Sequence, residues 1–477
     1  MKIRVVLIVV AIVAGTAAAW FWKRASGTAA TVADSLPEIP ALAGAAPAFR
    51  EHVLAADDRA RSLWSARSGL VELSRLYHAN GQFAEVLQCY DGLIALEPDQ
   101  PRWPHLKATI IAGYGRADEA EELWKRTVAL APDYLPARIR LGDIQLKANR
   151  TAEASANYNE ILRLSPDQPY ALLGLARLDL EAGRLDDARR KLETVVAKTN
   201  YTLGYDLIVS LYERLGLGDR ALAIRGMAKA SGAYRDPSDP WHDELLAECY
   251  DPYRLALAAG TIARDGRVDE ATKLLRRALE LAPDDVSTHF QLGTLSVERR
   301  DIAMARFHLQ RCTELAPHFA DGWAHLSDLQ ARQGEKTASE RTLAEGLRNC
   351  PQSPGLHLTR ARRMRDAGRT GEAIVAFETS IRYRPNEADA YLELGSYLVT
   401  LGREPEAMRQ FRRAIEAEPG NPMALSVLTF NAISTGDEAE ARKWLELVHL
   451  QPRIDFARAE QLRTAYRQKF GRPPPSP

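Results

Sequence analysis

The chain has 477 residues, and its 63 Lys and Arg side chains balance 63 Asp and Glu side chains, so its formal net charge is zero. This balance argues against a general nucleic-acid-binding protein, because such proteins carry a basic excess that displaces counterions from phosphates. Four cysteines without a Cys-x-x-Cys spacing are too few for a disulfide framework, and they exclude a haem-attachment motif and a zinc ribbon.

The first predicted element is an apolar segment, Val5 to Trp22, that contains no charged residue and has basic residues on both sides. Its length is close to the ~20 residues that cross a bilayer. Residues 17–19 could be the cleavage site of a secretory signal peptide, whereas residues 20–22 would form an aromatic belt at the boundary of an uncleaved anchor. The aromatic belt favours the anchor, so residues 1–24 are predicted to be a single transmembrane helix.

The charges around this segment also bear on its orientation. They weakly favour an N-terminus in the cytoplasm, which would place the rest of the chain in a bacterial periplasm. The chain would then contact the inner membrane through residues 5–22, and a cytoplasm-facing orientation is the alternative. Residues 25–47, which are rich in Ala and Pro, are predicted to be a flexible linker.

A spacing of 34 residues dominates the rest of the chain. Pro98, Pro132 and Pro166 follow one another at this interval, and so do five prolines from Pro283 to Pro419. A fixed period of this size indicates stacked repeats. Eleven units fit the period, and they begin at Arg67, Pro101, Leu135, Pro169, Thr202, Pro252, Val286, Ala320, Pro354, Ala388 and Pro422.

Three positions within the unit support this alignment. Position 15 is Gly in nine of the eleven units, with Asn149 and Arg300 as exceptions, as expected where a first helix ends in a left-handed residue. Position 20 is Ala in nine units, which lets two antiparallel helices approach closely. Position 24 is large and apolar in ten units, with Arg225 as the exception, and is expected to fill the seams between helices.

This combination of positions resembles the tetratricopeptide repeat family over about residues 67–452. The resemblance implies an all-α fold, a right-handed superhelical solenoid of about eleven helix-turn-helix repeats, here with an N-terminal transmembrane helix. We predict five repeats within residues 48–235, an inserted linker with a short helix at 236–251, and six repeats within 252–452. Residues 453–477 are predicted to form a capping helix and a Pro-rich tail.

The resemblance also suggests binding residues, because positions 2, 5, 6, 9, 12 and 13 of the first helices line a concave groove in this family. Arg362 and Arg365 of the ninth repeat would lie in that groove. They could bind an acidic peptide or an anionic glycan through charge-assisted hydrogen bonds. The alternative is internal pairing with acidic residues of the flanking repeats, among them Asp328 and Glu393.

Two further groove regions are candidates for partner binding. Arg140, Asp143 and Arg177 form a charged group in the third and fourth repeats, with the same alternative of internal pairing. In the last two repeats the groove becomes apolar at positions that include Val427 and Phe430. That apolar region is either a docking surface for a partner helix or the seat of the capping helix.

The sequence contains no phosphate-cradling glycine loop, no Gly-x-Ser-x-Gly elbow and no His-Glu-x-x-His motif. His308 and Cys312 have the spacing of two metal ligands on a helix, but Cys312 falls at a packing position, so we predict neither a metal nor a cofactor. The sequence thus predicts a noncatalytic, membrane-tethered scaffold that binds partner proteins in cell-envelope assembly or secretion, without nucleic acid. The alternatives are a polysaccharide-binding periplasmic component of an export system and a cytoplasm-facing membrane-anchored regulator.

Overall fold

The computed structural model describes residues 2–199, 201–218, 220, 221, 224, 238–264, 266–449, 454 and 456–474. Within these ranges the chain is helical and contains no β-strand, which confirms the predicted all-α fold for the described residues. Most of the helices are 12 to 15 residues long and follow one another as antiparallel pairs.

The described helices are numbered here in chain order. Those of the first part are α1 (Lys2–Ser35), α2 (Pro47–Arg61), α3 (Ala66–Ala79), α4 (Phe83–Leu96), α5 (Arg102–Gly113), α6 (Ala117–Leu130), α7 (Leu135–Lys147), α8 (Thr151–Leu164), α9 (Pro169–Glu181), α10 (Leu185–Lys198), α11 (Thr202–Arg214) and the short α12 (Pro240–Asp243), which a 3-10 turn (Glu244–Glu248) follows. Those of the second part are α13 (Pro252–Arg264), α14 (Val268–Leu281), α15 (Val286–Glu298), α16 (Ile302–Leu315), α17 (Ala320–Arg332), α18 (Lys336–Asn349), α19 (Pro354–Asp366), α20 (Thr370–Tyr383), α21 (Ala388–Thr400), α22 (Glu404–Ala417), α23 (Pro422–Thr435), α24 (Glu438–His449) and α25 (Phe456–Phe470).

The turn within each repeat depends on one left-handed residue. The residue at position 15 has a positive φ in all eleven repeats, and the nine glycines there have φ between 70° and 82°. Glycine adopts this conformation readily because it has no Cβ that would clash with the backbone. The predicted left-handed turns are therefore confirmed, and Asn149 and Arg300 adopt the same conformation with φ of 60°.

The seams between helices are filled by the large side chains of position 24. Tyr158 is fully buried, and its ring lies directly against two glycines, Gly142 of its own repeat and Gly174 of the next. A Cβ added at Gly174 would lie 2.3 Å from Tyr158 Cζ. Phe411 packs in the same way against Gly395. The small positions of the repeat are thus required by the volume of the large ones.

The chain forms two compact units. Unit 1 comprises Met1–Gly174 and Pro237–Pro283, and unit 2 comprises Leu175–Asp236 and Asp284–Pro477. In unit 1, one apolar core contains residues from α1 to α5 together with Leu245, Cys249 and Leu255, so the residues around the inserted short helix pack with the first repeats. In unit 2, the largest core joins the ninth to eleventh repeats with α25.

The predicted single-pass N-terminal anchor is wrong. In the part of the chain that the structure describes, no helix is long and apolar enough to cross a membrane. The charge-free stretch belongs to a longer helix, α1, which continues through Lys23 and Arg24 to Ser35. The last turns of α1 lie in the unit 1 core, where Val32 is fully buried and Ser35 contacts Gly92. The predicted contact with the inner membrane and the predicted membrane-anchored periplasmic array both required this anchor, so both are contradicted as well.

The unit 1 core also contains a buried polar pair. His78 Nδ1 lies 2.7 Å from Tyr90 Oη, and both side chains are almost inaccessible to solvent. The pKa of His78 is lowered to about 3, mainly by burial and to a smaller extent by the nearby His242 and Arg254, while Asp239 opposes the shift. The neutral imidazole can therefore accept the hydrogen bond of the Tyr90 hydroxyl.

The left-handed residue Arg300 offers a test of the turn. Replacing it with glycine (Arg300→Gly) is expected to raise the free energy of unfolding by about 1 kcal/mol, because the Cβ clash disappears. The control is Gln333→Gly in the next repeat, where φ is −84° and glycine only adds entropy to the unfolded chain. Urea unfolding followed by circular dichroism measures both variants. A change of the free energy of unfolding in the same direction for both variants would contradict the backbone strain assigned to Arg300.

The lowered pKa of His78 predicts a pH-dependent stability. The unfolded chain binds a proton at this residue below its ordinary pKa of about 6.5, whereas the folded chain does so only near pH 3. Stability from this group is therefore complete above pH 6.5 and falls by at most about 1.4 kcal/mol per pH unit as the pH decreases towards 3. Urea unfolding between pH 7 and 4 should show this slope reduced in His78→Asn and retained in His325→Asn, a variant of an exposed histidine. Equal slopes in both variants would show that His78 does not carry the effect.

Candidate functional site

The charged groove residues of the ninth repeat are paired within the protein. Arg362 on α19 donates through Nε to both carboxylate oxygens of Glu393 on α21, at 2.9 and 3.0 Å. Arg365 Nη1 lies 3.5 Å from the same carboxylate. The hydrogen bond with Glu393 raises the pKa of Arg362. Glu393 therefore joins two guanidinium groups, as the alternative of internal pairing proposed.

Asp328 is also paired, but with an arginine that the sequence did not place in the groove. Arg363 Nη2 donates to Asp328 Oδ1 at 2.6 Å, and Arg363 Nε donates to Ser339 Oγ at 3.3 Å. Arg363 is more buried than Arg362, with 19% of its side chain exposed against 34%. Its position 10 is outside the groove set of the family, so the repeat pattern alone contained no signal for this role.

The second charged candidate is distributed over two helices. Arg140 and Asp143 lie on α7 and Arg177 lies on α9, and all three are half-buried. Asp143 accepts a hydrogen bond of 2.6 Å from Tyr158 Oη, the ring that fills the seam of this repeat. Asp143 thus holds the hydroxyl of a buried packing residue, which is a structural contact within unit 1.

An apolar surface remains exposed in the last two repeats. Phe430 is 54% exposed, Met423 48% and Val399 44%, and Val427 is half-buried. We call these four residues the C-terminal apolar surface. They lie on α21 and α23, the first helices of the tenth and eleventh repeats. Large apolar side chains that stay exposed on neighbouring repeats are candidates for an interaction site.

The local sequence explains how α23 presents these side chains. Asn421 caps the helix, because its Oδ1 accepts a hydrogen bond of 3.0 Å from Ala424 N, and Pro422 follows at the first helical position. The helix contains no charged residue and ends at Thr435, and its C-cap residue Gly436 has a φ of 81°. One side of α23 packs into the unit 2 core, where Leu425 and Leu428 are buried.

Helix α25 packs against α23 and α24 but leaves this surface open. Its residues Leu462 and Tyr466 are buried in the unit 2 core. Tyr466 Oη donates to Glu438 at 2.7 Å, and Lys469 Nζ donates to Ser434 O at 3.2 Å. These contacts involve α24 and the C-terminal end of α23, whereas Met423 lies in the first turn of α23. Met423 and Phe430 therefore remain exposed although α25 is in place, and they are not part of the surface that this helix covers.

The residues considered for metal binding are engaged in packing. Cys312 is fully buried, its thiol donates to Val286 O at 3.6 Å, and burial raises its pKa to about 12. His308 Nδ1 lies 2.8 Å from His289 Nδ1. Among the described residues, no group of three or more His, Cys, Asp or Glu side chains is placed to hold a metal ion.

Comparison with known proteins relates these helices to a family. One family model described as a tetratricopeptide repeat matches residues 113–169 and 358–422, and a second with the same description matches residues 146–201. Among solved structures, yeast Tom70 is 14% identical with a TM-score of 0.42, and the alignment covers 88% of this chain and 96% of that chain.

Curated relatives show the same kind of similarity. Cellulose synthase operon protein C of Pseudomonas fluorescens is 22% identical over 350 residues, which are 72% of this chain and 25% of that protein. DnaJ homolog subfamily C member 3 of Rattus norvegicus is 19% identical over 277 residues, which are 58% of this chain and 48% of that protein. The chain thus spans about a quarter to a half of the length of these relatives.

The pairing of Arg362 with Glu393 can be measured directly. A double-mutant cycle with Arg362→Ala and Glu393→Ala is expected to give a coupling energy of about 1 kcal/mol, at the upper end for surface pairs because both groups are half-buried. The control cycle uses Arg369 and Glu372, a more exposed pair within one helix turn, and should give a smaller coupling. Urea unfolding provides the four free energies of each cycle. Zero coupling in the first cycle would mean that the pair does not persist in solution.

Proposed function

Because the chain belongs to the tetratricopeptide repeat family, we propose that it is a noncatalytic scaffold that binds a helical segment of a partner protein at its C-terminal apolar surface. The repeat fold supports a protein-binding role in general. The observation that carries this proposal is the exposure of Phe430, Met423 and Val399 on two neighbouring first helices. We further propose that the partner acts in cell-envelope assembly or secretion. Identifying the partner tests this part of the proposal.

The neighbouring charges favour an apolar partner over an anionic one. An anionic ligand at Arg362 and Arg365 would have to displace Glu393 and break its charge-assisted hydrogen bonds. Burial of exposed apolar side chains, by contrast, contributes about 25 cal/mol for each Å² removed from water. An amphipathic helix with apolar residues at i, i+3 or i+4, and i+7 matches such a groove.

The test compares two phenylalanines of equal exposure. Phe430 and Phe307 are both 54% exposed, but Phe307 lies on a second helix, α16, away from the proposed groove. A photo-crosslinker at position 430 identifies the partner, and fluorescence anisotropy with the purified partner segment then measures the affinity. We expect Phe430→Ala to weaken binding at least about tenfold, as for a buried anchor residue, and Phe307→Ala to leave it unchanged.

Two outcomes would reject this proposal. One is equal binding of the crosslinked partner by wild type and by the Met423→Ala, Phe430→Ala double variant. The other is equal loss of binding in Phe307→Ala, since that would indicate a general effect of surface substitution. Circular dichroism and a thermal melt of each variant ensure that only folded proteins are compared.

A second candidate function is binding of a polysaccharide in an export system. It is favoured by the similarity to a protein named for a cellulose synthase operon. Charge reversal at Arg362 and Arg365 separates the two candidates, because it would abolish binding of an anionic glycan and leave docking at Phe430 intact. Glycan binding that persists in the charge-reversed variant would remove these two arginines from the candidate site.

A further inference from the structure

The inserted segment, residues 239–250, covers first-helix residues of the first two repeats in unit 1. Arg102 forms an ion pair with Glu244, and Arg75 lies 3.8 Å from Glu248. The ring of His78 contacts the ring of His242 at 5.5 Å, and His105 Nε2 lies 2.7 Å from Asp239 Oδ2. All four first-helix residues occupy groove positions of the family. Arg75 and His78 are at positions 9 and 12 of the first repeat, and Arg102 and His105 are at positions 2 and 5 of the second.

Asp239 is the most buried acidic residue of the inserted segment, with 11% of its side chain exposed. Its carboxylate receives a hydrogen bond of 2.5 Å from Tyr134 Oη in addition to the contact with His105, whose side chain is fully buried. Burial alone would raise the pKa of Asp239, but its partners His105 and Tyr134 hold that pKa below the usual range. Trp241 stacks on Tyr134 with a ring separation of 3.6 Å and an interplanar angle of 11°.

The main chain of the inserted segment is held as well. Asn80 Nδ2 donates to Glu248 O at 2.8 Å, and Asn80 Oδ1 accepts from Tyr250 N at 2.6 Å. A side-chain amide that pairs with both a carbonyl and an N–H recognises an extended backbone whatever its side chains. Leu245 and Cys249 are buried beside these contacts in the unit 1 core.

The chemistry of these contacts is that of ligand recognition. The seams of the repeats place glycines against large side chains, whereas here the carboxylates of Asp239, Glu244 and Glu248 each face a histidine or an arginine. The segment is also bound by the stacking of Trp241 on Tyr134 and by the two main-chain hydrogen bonds of the Asn80 amide. Peptide-binding grooves combine charge complementarity, an aromatic contact and main-chain hydrogen bonds in the same way.

We infer that the concave face of the first two repeats is a recognition site for an acidic, tryptophan-containing segment, and that residues 239–250 occupy this site in cis and exclude such a segment from a partner. The site shares no residue with the C-terminal apolar surface, so it does not depend on the function proposed there. A segment tethered in the same chain competes at an effective concentration on the order of millimolar. A partner segment with Asp, then Trp two residues later, and a further acidic residue binds when the inserted segment leaves.

The experiment uses the full chain and a labelled peptide with the sequence of residues 238–244. In the released variant, three residues of the inserted segment are replaced by alanine: Asp239→Ala, Trp241→Ala and Glu244→Ala. These substitutions remove the side-chain contacts of these residues with the first two repeats but keep Leu245 and Cys249 in the core. Fluorescence anisotropy is expected to show at least tenfold tighter peptide binding to the released variant than to wild type. A peptide with alanine in place of the Asp and the Trp should not bind, and His105→Ala added to the released variant should abolish binding of the original peptide.

A second measurement uses the unmodified protein, in case the released variant does not fold. The Trp241 amide donates to Tyr134 Oη at 3.2 Å, so millimolar peptide that displaces the inserted segment should accelerate hydrogen exchange of this amide. The inference is overturned if a folded released variant binds the peptide no more tightly than wild type does, or if the peptide leaves this amide protected in wild type. Neither result affects binding at Phe430, which is measured with a different ligand.

Discussion

The structure depends on how closely the helices within and between repeats can approach. Tyr158 shows how tight this constraint is, because its ring lies against Gly142 and Gly174 with no room for a further methyl group at Gly174. The small residues at position 20 are buried in every repeat, and so are the large side chains described at position 24. Close packing of this kind leaves the groove-facing residues of the first helices as the part of each repeat that can vary in chemistry.

The two units use that freedom differently. In unit 1, the first-helix residues of the first two repeats meet the chain's own inserted segment, through arginines, histidines and Asn80. In unit 2, the charged positions of the ninth repeat are neutralised by flanking carboxylates, and the last two repeats expose Met423 and Phe430. The chain as a whole has zero net charge, so specificity depends on these local contacts and not on a long-range field.

Much of the fold could be predicted from local pattern. The 34-residue period placed the helix pairs, and the glycine column predicted the left-handed turns, because both follow from steric rules that act within a few residues. The candidate site was only partly predictable. The pairing of Arg362 with Glu393 was one of two alternatives, whereas Arg363 was missed because its partner, Asp328, is close only after the repeats stack.

The segments outside the repeat pattern show where sequence reasoning ends. A charge-free stretch of suitable length indicated a membrane anchor, but the course of α1 depends on the packing of Val32 and Ser35 against helices more than thirty residues later. A short helix was predicted within residues 236–251, yet the contacts of Asp239 with His105 and Tyr134 join residues more than a hundred positions apart. Periodicity and turn chemistry are local and can be read from the chain, whereas the partner of a non-repeating segment is decided only when the repeats have brought distant residues together.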